Sequence, residues 1–482
     1  MSGKGVRRII CLGALTFVPA FQAFGFDPLL AKRNIELVPS GRLLPQPNPC
    51  EFSNLGAPVT LTEAVERALC RSPKTRAAWA RVKEQAAAVG EARSAFLPTL
   101  SGNWQGVRDE SATTVSGMPQ LGSKSNATVQ SEAVTLNWVL FDFGSRTAAL
   151  HNANALLAAA RATQDATLQT EFDAVAKDYY AAQAAKGALD VAVDVERMTR
   201  ESMIAAQARV DQGIAPITDA LQAQTQHDEA VFDLAKAQGG VQTTIGALAS
   251  DMGFDPSRQV TVPSVAQRQA PDIQFNESIE RLITQVKASH PSVLAAEAQV
   301  DAARAKVEQA RANGMPSVSL VGKYSRSNQP QSLGLGMSTF PATGHDSYIG
   351  VQVTIPLFEG FSAHYQVDQA RAEQERQEDV LDDARRQVAV DVWNSYYSLL
   401  TATENVSNSE KTLRVSQRAF EAAQHRYNAG VGSVLELLNT QTALASARQR
   451  RVQALTDRDY LRLDFAAKLG RLDIGDVSDS YP

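Results

Sequence analysis

The sequence predicts a mainly α protein that contributes strands to a membrane β-barrel and is internally duplicated, and three observations predict it. Landmarks recur about 217 positions apart: Ser72-Pro73 on His290-Pro291, Pro98 on Pro316, Phe141-Asp142 on Phe358-Glu359, Tyr179-Tyr180 on Tyr396-Tyr397, Gly213 on Gly430 and Gly253 on Gly470. Apolar residues follow a heptad over two very long stretches. In two short pairs of segments the period drops to two. The repeat is far longer than the roughly 20 to 50 residues of a solenoid unit, so it signals duplication of a whole structural half.

The N-terminus carries Lys4, Arg7 and Arg8, the apolar run Ile9 to Val18, and small-residue cleavage options after Ala20, Ala23 or Gly25. Residues 1–25 therefore read as a secretory signal peptide, too short to span a membrane. No later stretch approaches the ~20 continuous apolar residues of a membrane helix, so insertion in a bilayer would use strands. Cys11 belongs to the leader, which leaves Cys50 and Cys70 in an exported chain, where an oxidising compartment favours a disulfide. The alternative is two unpaired thiols. A net charge of −5, spread evenly, gives no basic footprint and argues against a nucleic-acid partner.

Residues 26–59 hold six prolines and read as an extended arm. The first repeat, 60–253, opens where Thr60 and Glu63 fit a capping box before a helical pattern running to about Phe96. Pro98 stops it. Leu100, Gly102 and Trp104 then alternate with Ser101, Asn103 and Gln105, which places a strand near 98–108. Val134, Leu136, Trp138 and Leu140 mark a second strand near 128–140, beyond a Ser/Gly/Thr-rich loop of about twenty residues. Residues 254–275, with Pro256, Pro263 and Pro271, read as a linker. The second repeat, 276–470, has strands near 316–326 and 347–357, and residues 471–482 form an acidic tail. Segments of about ten residues with one apolar and one polar side match transmembrane barrel strands; a soluble hairpin on a core is the alternative.

The helical remainder decides between them. Each hairpin precedes an uninterrupted helical pattern of about seventy residues, from Ser145 to Asp211 and from Ser362 to Asn428. In the second, Val388, Val392, Ser395, Leu399, Ala402, Val406, Ser409, Leu413, Ser416, Phe420, Ala423 and Tyr427 alternate by four and three. Leu168, Phe172, Val175, Tyr179 and Ala182 do so in the first, and such seams make coiled coils. Each helix would extend about 100 Å, too long for an ordinary globular domain. Glycine-containing breaks at 212–216 and 429–433 turn the chain back, so the two tips lie together at one far end. One chain offers four strands, whereas a barrel must close without edges and usually needs eight or more, so a dimer, trimer or tetramer is required.

With these features the chain resembles the outer membrane efflux protein family, the TolC-like channel-tunnels, over residues 60–470. The resemblance implies a homotrimer whose chains share a 12-stranded barrel in outer-membrane lipid, continued by a coiled-coil α-helical barrel across the periplasm. It implies a periplasmic adaptor of the membrane fusion type and an inner-membrane transporter as partners, and no cofactor. Gly213-Ile214-Ala215-Pro216-Ile217-Thr218-Asp219 is similar to the family's tip pattern, which places Thr218 and Asp219 where relatives hold the gate closed. Tyr427 matches a tyrosine of that network, and Glu436 falls where relatives carry an acidic, cation-binding constriction. Asn439 stands in place of a second acid and Gly432 in place of an arginine latch, which implies a less negative, less tightly latched entrance. An ordinary solvated helix face is the alternative for Asp219 and Glu436. Gly213 and Gly430 are expected to take positive φ, and Ile214, Val431 and Gly432 to complete the adaptor-facing turns.

The unlipidated leader, the Cys50 arm and Val89-Gly-Glu-Ala-Arg-Ser-Ala-Phe-Leu-Pro-Thr-Leu100 most resemble the outer-membrane component of type I systems, with an inner-membrane ABC transporter, that export an adenylate cyclase-hemolysin toxin as cargo. Small-molecule efflux is the nearest alternative. A soluble periplasmic coiled-coil adaptor, a different class, would lack the amphipathic strand pairs. The six scattered histidines show no metal-ligand spacing, and no nucleophile motif or phosphate loop is present, so an enzyme is not expected.

Overall fold

Eight α-helices, one short 3-10 turn (Pro119–Leu121) and one four-stranded sheet make up the computed structural model, which describes residues 27–33, 35, 36, 38–40, 43, 50, 52, 58–264, 278–331, 334, 337 and 340–472. The expected signal peptide, residues 265–275 of the linker and most of the tail lie outside the described residues. The elements are α1 (Leu61–Arg71), α2 (Pro73–Ser94), β1 (Thr99–Thr113), β2 (Ser123–Phe141), α3 (Ser145–Asp211) and α4 (Ile217–Asp251). The same series follows as α5 (Ile279–Ser289), α6 (Pro291–Asn313), β3 (Ser317–Ser327), β4 (Gly344–Thr354), α7 (Ser362–Asn428) and α8 (Val434–Lys468).

The single helix expected from Thr60 to Phe96 is two. Pro73 lacks an N–H and pushes the residue before it out of the helical region, and Ser72 has φ −54°, ψ 130°. The Ser72 hydroxyl then accepts from the Lys74 N–H and caps α2. His290 does the same for Ser292 at the equivalent place, between α5 and α6. At the start of α1 the Thr60 hydroxyl accepts from the Glu63 N–H, while the Glu63 carboxylate accepts from the Arg67 guanidinium.

The first hairpin is longer than its sequence suggests. Pairing runs from Thr99↔Asn137 out to Thr113↔Ser123, so the twenty-residue loop shrinks to a short turn. Its Ser, Thr, Asp and Glu residues read as loop because neither face is apolar, yet a ladder that extends into water pairs without an apolar face. The fourth strand ends at Thr354 rather than near 357, where Pro356 cannot donate to a ladder.

The strands are antiparallel in the order β1-β2-β3-β4. Their registers bring the apolar positions onto one face: Leu100 opposes Leu136, Leu136 opposes Gly322, and Gly322 opposes Ile349. Trp138, Leu320 and Val351 form the adjoining row. The other face carries Ser101, Thr135, Lys323 and Gln352. The apolar face is bare of protein, with Leu100 and Ile349 each 72% exposed. β1 pairs with β2 alone and β4 with β3 alone, which leaves two open edges in the single chain.

Below the sheet, α3 packs against α2, α4, α6 and α8, and α7 packs against α6 and α8. Leu168, Phe172, Val175, Tyr179 and Ala182 are all buried in the α3 seam. Nine of the twelve heptad positions of α7 are buried, which makes that spacing the packing seam of the helix. The main core lies midway along the helices, where α1 meets α3 and the end of α4, and the Tyr179 hydroxyl donates to the Val59 carbonyl oxygen at 3.1 Å. Cys50 and Cys70 form a disulfide there, which fastens the arm to α1. No helix among the described residues is long and apolar enough to cross a membrane.

Candidate functional site

The two helix tips are built alike from residues 217 positions apart. At the end of α3 the Ile214 N–H donates to the Arg209 carbonyl and the Gly213 N–H to that of Val210. At the end of α7 Val431 donates to Arg426 and Gly430 to Tyr427. Both are Schellman turns, which need a residue with positive φ at their centre. Gly213 supplies +72° and Gly430 +77°. The apolar residues that follow point outward: Ile214 is 69% exposed and Val431 70%.

The second tip is tighter. The Gly432 N–H also reaches the Arg426 carbonyl, and a Cβ at Gly432 would sit 2.8 Å from the Tyr427 backbone nitrogen. An arginine latch at 432 is therefore incompatible with this turn. Ser433 caps α8 by accepting from the Glu436 N–H at 3.1 Å.

Arg209, which the sequence reading missed, occupies the place between the hairpins. Its guanidinium lies 4.0 Å from the Tyr427 ring centroid and donates to the Tyr427 carbonyl oxygen. Tyr427 is buried among Ala206, Ala223, Phe420, Leu437 and Leu438. Burial pushes its hydroxyl above the usual tyrosine pKa, Arg209 opposes that rise, and Asp219 adds to it. Asp219 therefore acts on Tyr427 through its charge, while the direct contact is with Arg209.

Glu436 pairs with Arg426 at 3.5 Å, both partly exposed. Asp219 and Glu436 are equivalent positions of the two repeats, as are Arg209 and Arg426. One arginine meets the acid of its own hairpin, and the other reaches across to the neighbouring hairpin. That duplicated Arg/acid pair is the signal that could have revealed Arg209 in the sequence. Thr218 lies exposed in the first turn of α4, and Asn439 is exposed one turn beyond Glu436. No group of three or more His, Cys, Asp or Glu able to hold a metal ion occurs among the described residues.

The family described as outer membrane efflux protein matches the chain twice, over residues 64–253 and 282–471. Protein CyaE of Bordetella pertussis is 34% identical over 420 residues, covering 86% of this chain and 85% of the relative. Outer membrane protein TolC of Escherichia coli is 23% identical over 446 residues, 88% of this chain and 85% of that protein. The crystal structure of the outer membrane protein VceC of Vibrio cholerae superposes with a TM-score of 0.70 at 20% identity, over 85% of this chain and 96% of the other.

Proposed function

Given that the chain belongs to the outer membrane efflux protein family, we propose that it is the outer-membrane channel of a type I secretion system, a passive duct for a protein toxin of the adenylate cyclase-hemolysin class. Its place is the cell outer membrane, with the helical tunnel projecting into the periplasm. The toxin-secreting role rests on the resemblance carried by residues 89–100, and the 34% identity to Protein CyaE supports it. Energy for transport comes from an inner-membrane ABC transporter, and the exposed apolar Ile214 and Val431 at the tips suit contact with a periplasmic adaptor.

The duct closes as a homotrimer of twelve strands, joined between β1 of one copy and β4 of the next. The duplication supports this arrangement. Within the chain α3 is flanked by α6 and α8, whose counterparts are α2 and α4. Around α7 no helix among the described residues fills the corresponding places, and a groove lined by Trp393, Tyr397, Thr401, Asn405 and Asp457 lies open. On α4 Phe232 is 69% exposed. Placing α2 and α4 of the next copy against α7 repeats the internal contact and generates a closed ring by head-to-tail association.

Deletion of the gene tests the cargo. Loss of one large protein from the medium with unchanged susceptibility to small toxic compounds is the expected result. Normal secretion with raised susceptibility would replace this reading with that of a small-molecule efflux duct.

A further inference from the structure

The first described residues of the N-terminal arm form a tied turn beside the barrel end of α2, and the arm then follows α2 away from the membrane. The Asp27 carboxylate accepts from the Ala31 N–H at 2.9 Å and the Lys32 N–H at 2.7 Å, and the Leu30 N–H donates to the Asp27 carbonyl. The turn is seated on α2 by two residues. Arg93 donates to the Leu29 carbonyl oxygen at 2.6 Å, and Gly90 leaves room for Ala31, whose Cβ would stand 3.2 Å from a Cβ at position 90. Further along the arm, the Trp79 indole N–H donates to the Glu36 carbonyl at 2.9 Å.

Leu30 takes φ +52°, a left-handed conformation that a branched side chain rarely adopts, and it is 59% exposed. The bonds of the turn hold Leu30 in this conformation, and such strained positions cluster at sites that meet a ligand. Arg93 lies three residues before Phe96, about 4.5 Å along a helix axis. Phe96, Leu97, Phe141 and Phe358 are exposed where the helices meet the barrel strands, so the hydrocarbon edge of the bilayer falls there. A headgroup layer is roughly 5–7 Å thick on each side, which puts Leu30 at its depth. Lys32 and Arg33 follow on the exposed side of the same turn.

We propose that the turn of residues 27–33 is a peripheral lipid-contact site, with Leu30 inserted at the headgroup boundary of the periplasm-facing leaflet and Lys32 and Arg33 against anionic lipid phosphates. An apolar tip beside two cations fits an interfacial anchor. The site extends the lipid-facing surface of the barrel downward onto the helices. It is fixed by Gly90 and Arg93, within the same stretch of sequence that carries the secretion-system resemblance.

The test is depth-dependent quenching on the full-length channel in vesicles of phosphatidylethanolamine and phosphatidylglycerol. With Cys11 replaced by serine and the Cys50–Cys70 disulfide leaving those sulfurs unreactive, Leu30→Cys can be labelled selectively with bimane. Nitroxide carried at the lipid headgroup should quench the Leu30 label at least half as strongly as a Phe358→Cys label, and a label at Val415→Cys, 68% exposed far from the barrel, should stay unquenched. Pro28→Cys, exposed in the same turn, gives a second reading that leaves the backbone at Leu30 untouched. Both labels behaving like Val415→Cys would overturn the proposal.

Discussion

Arg209 stacks on Tyr427 and bonds to that residue's own backbone, so a residue near the end of α3 fixes one near the end of α7 across 218 positions of sequence. The contact joins two hairpins whose tips have no covalent link nearby. It ties the first tip to the second at their ends, and further up the hairpins the Ser202 hydroxyl donates to the Gln441 side-chain oxygen at 3.4 Å.

Arg209→Ala removes a cation–π contact of about 0.5–2 kcal/mol and a charge-assisted hydrogen bond of roughly 1.5–3 kcal/mol. Since ~1.4 kcal/mol shifts an equilibrium tenfold, the tips should spend more time apart. Single-channel conductance in planar bilayers should rise. Conductance equal to wild type would show that the gate is held elsewhere.

Gly432→Ala should loosen the second tip, because its Cβ would meet the Tyr427 nitrogen and the Arg426 carbonyl carbon, at 2.8 and 3.0 Å. Overpacking against backbone costs about 1–3 kcal/mol. Amide exchange should accelerate at residues 426–434 with little change near the barrel. Gly213→Ala has open space around its Cβ and suffers from its positive φ alone, so its effect should be smaller, about 1 kcal/mol. A larger effect at 213 than at 432 would contradict this account.

The disulfide closes a separation of 20 residues, worth about 3 kcal/mol by chain entropy. That is on the order of a hundredfold in local opening of the arm. Cys50→Ser should therefore speed limited trypsin cleavage after Arg42 while the helical body stays intact. Equal digestion of oxidised wild type and the variant would mean that the arm is held by its packing alone.

Asp251, at the end of α4, has its carboxyl raised from 3.8 to about 7, first by burial and then by Asp178 and Glu171 of α3, with Lys74 of α2 acting against the rise. A carboxyl with a raised folded pKa contributes stability that is full below its unfolded pKa and is lost as pH rises through the folded one. Between about pH 4 and 7 this group should make the protein progressively less stable. Asp251→Asn should flatten that decline and melt higher than wild type at pH 8. A lower melting temperature for the variant at pH 8 would show that the ionised carboxylate is stabilising.

The long helices were legible because burial and sequence spacing repeat one rule for 67 residues: Val388, Val392 and Leu399 are buried where the heptad places them. The tip glycines were legible because a helix end with positive φ selects that residue. The hairpin lengths were not, since residues 109–113 and 123–127 carry no apolar face to mark a strand, and their pairing is fixed by the ladder alone. The break at Ser72 was hidden by a helical pattern on both sides, although Pro73 was in plain view. Arg209 was missed because its partner lies on another helix and the bond runs to a carbonyl oxygen, which every residue has.

Both long helices hold 67 residues and both returning helices 35. One residue inserted into α3 would lengthen it by about 1.5 Å and rotate everything beyond by about 100°, turning the buried stripe outward and carrying Arg209 away from Tyr427. An equal insertion in α7 would be needed to bring the two tips level again, with further changes in α4 and α8. Length variation among descendants of this chain should therefore arrive in matched sets or be confined to the connections, and an engineer who wants a longer tunnel must add whole heptads to four helices at once.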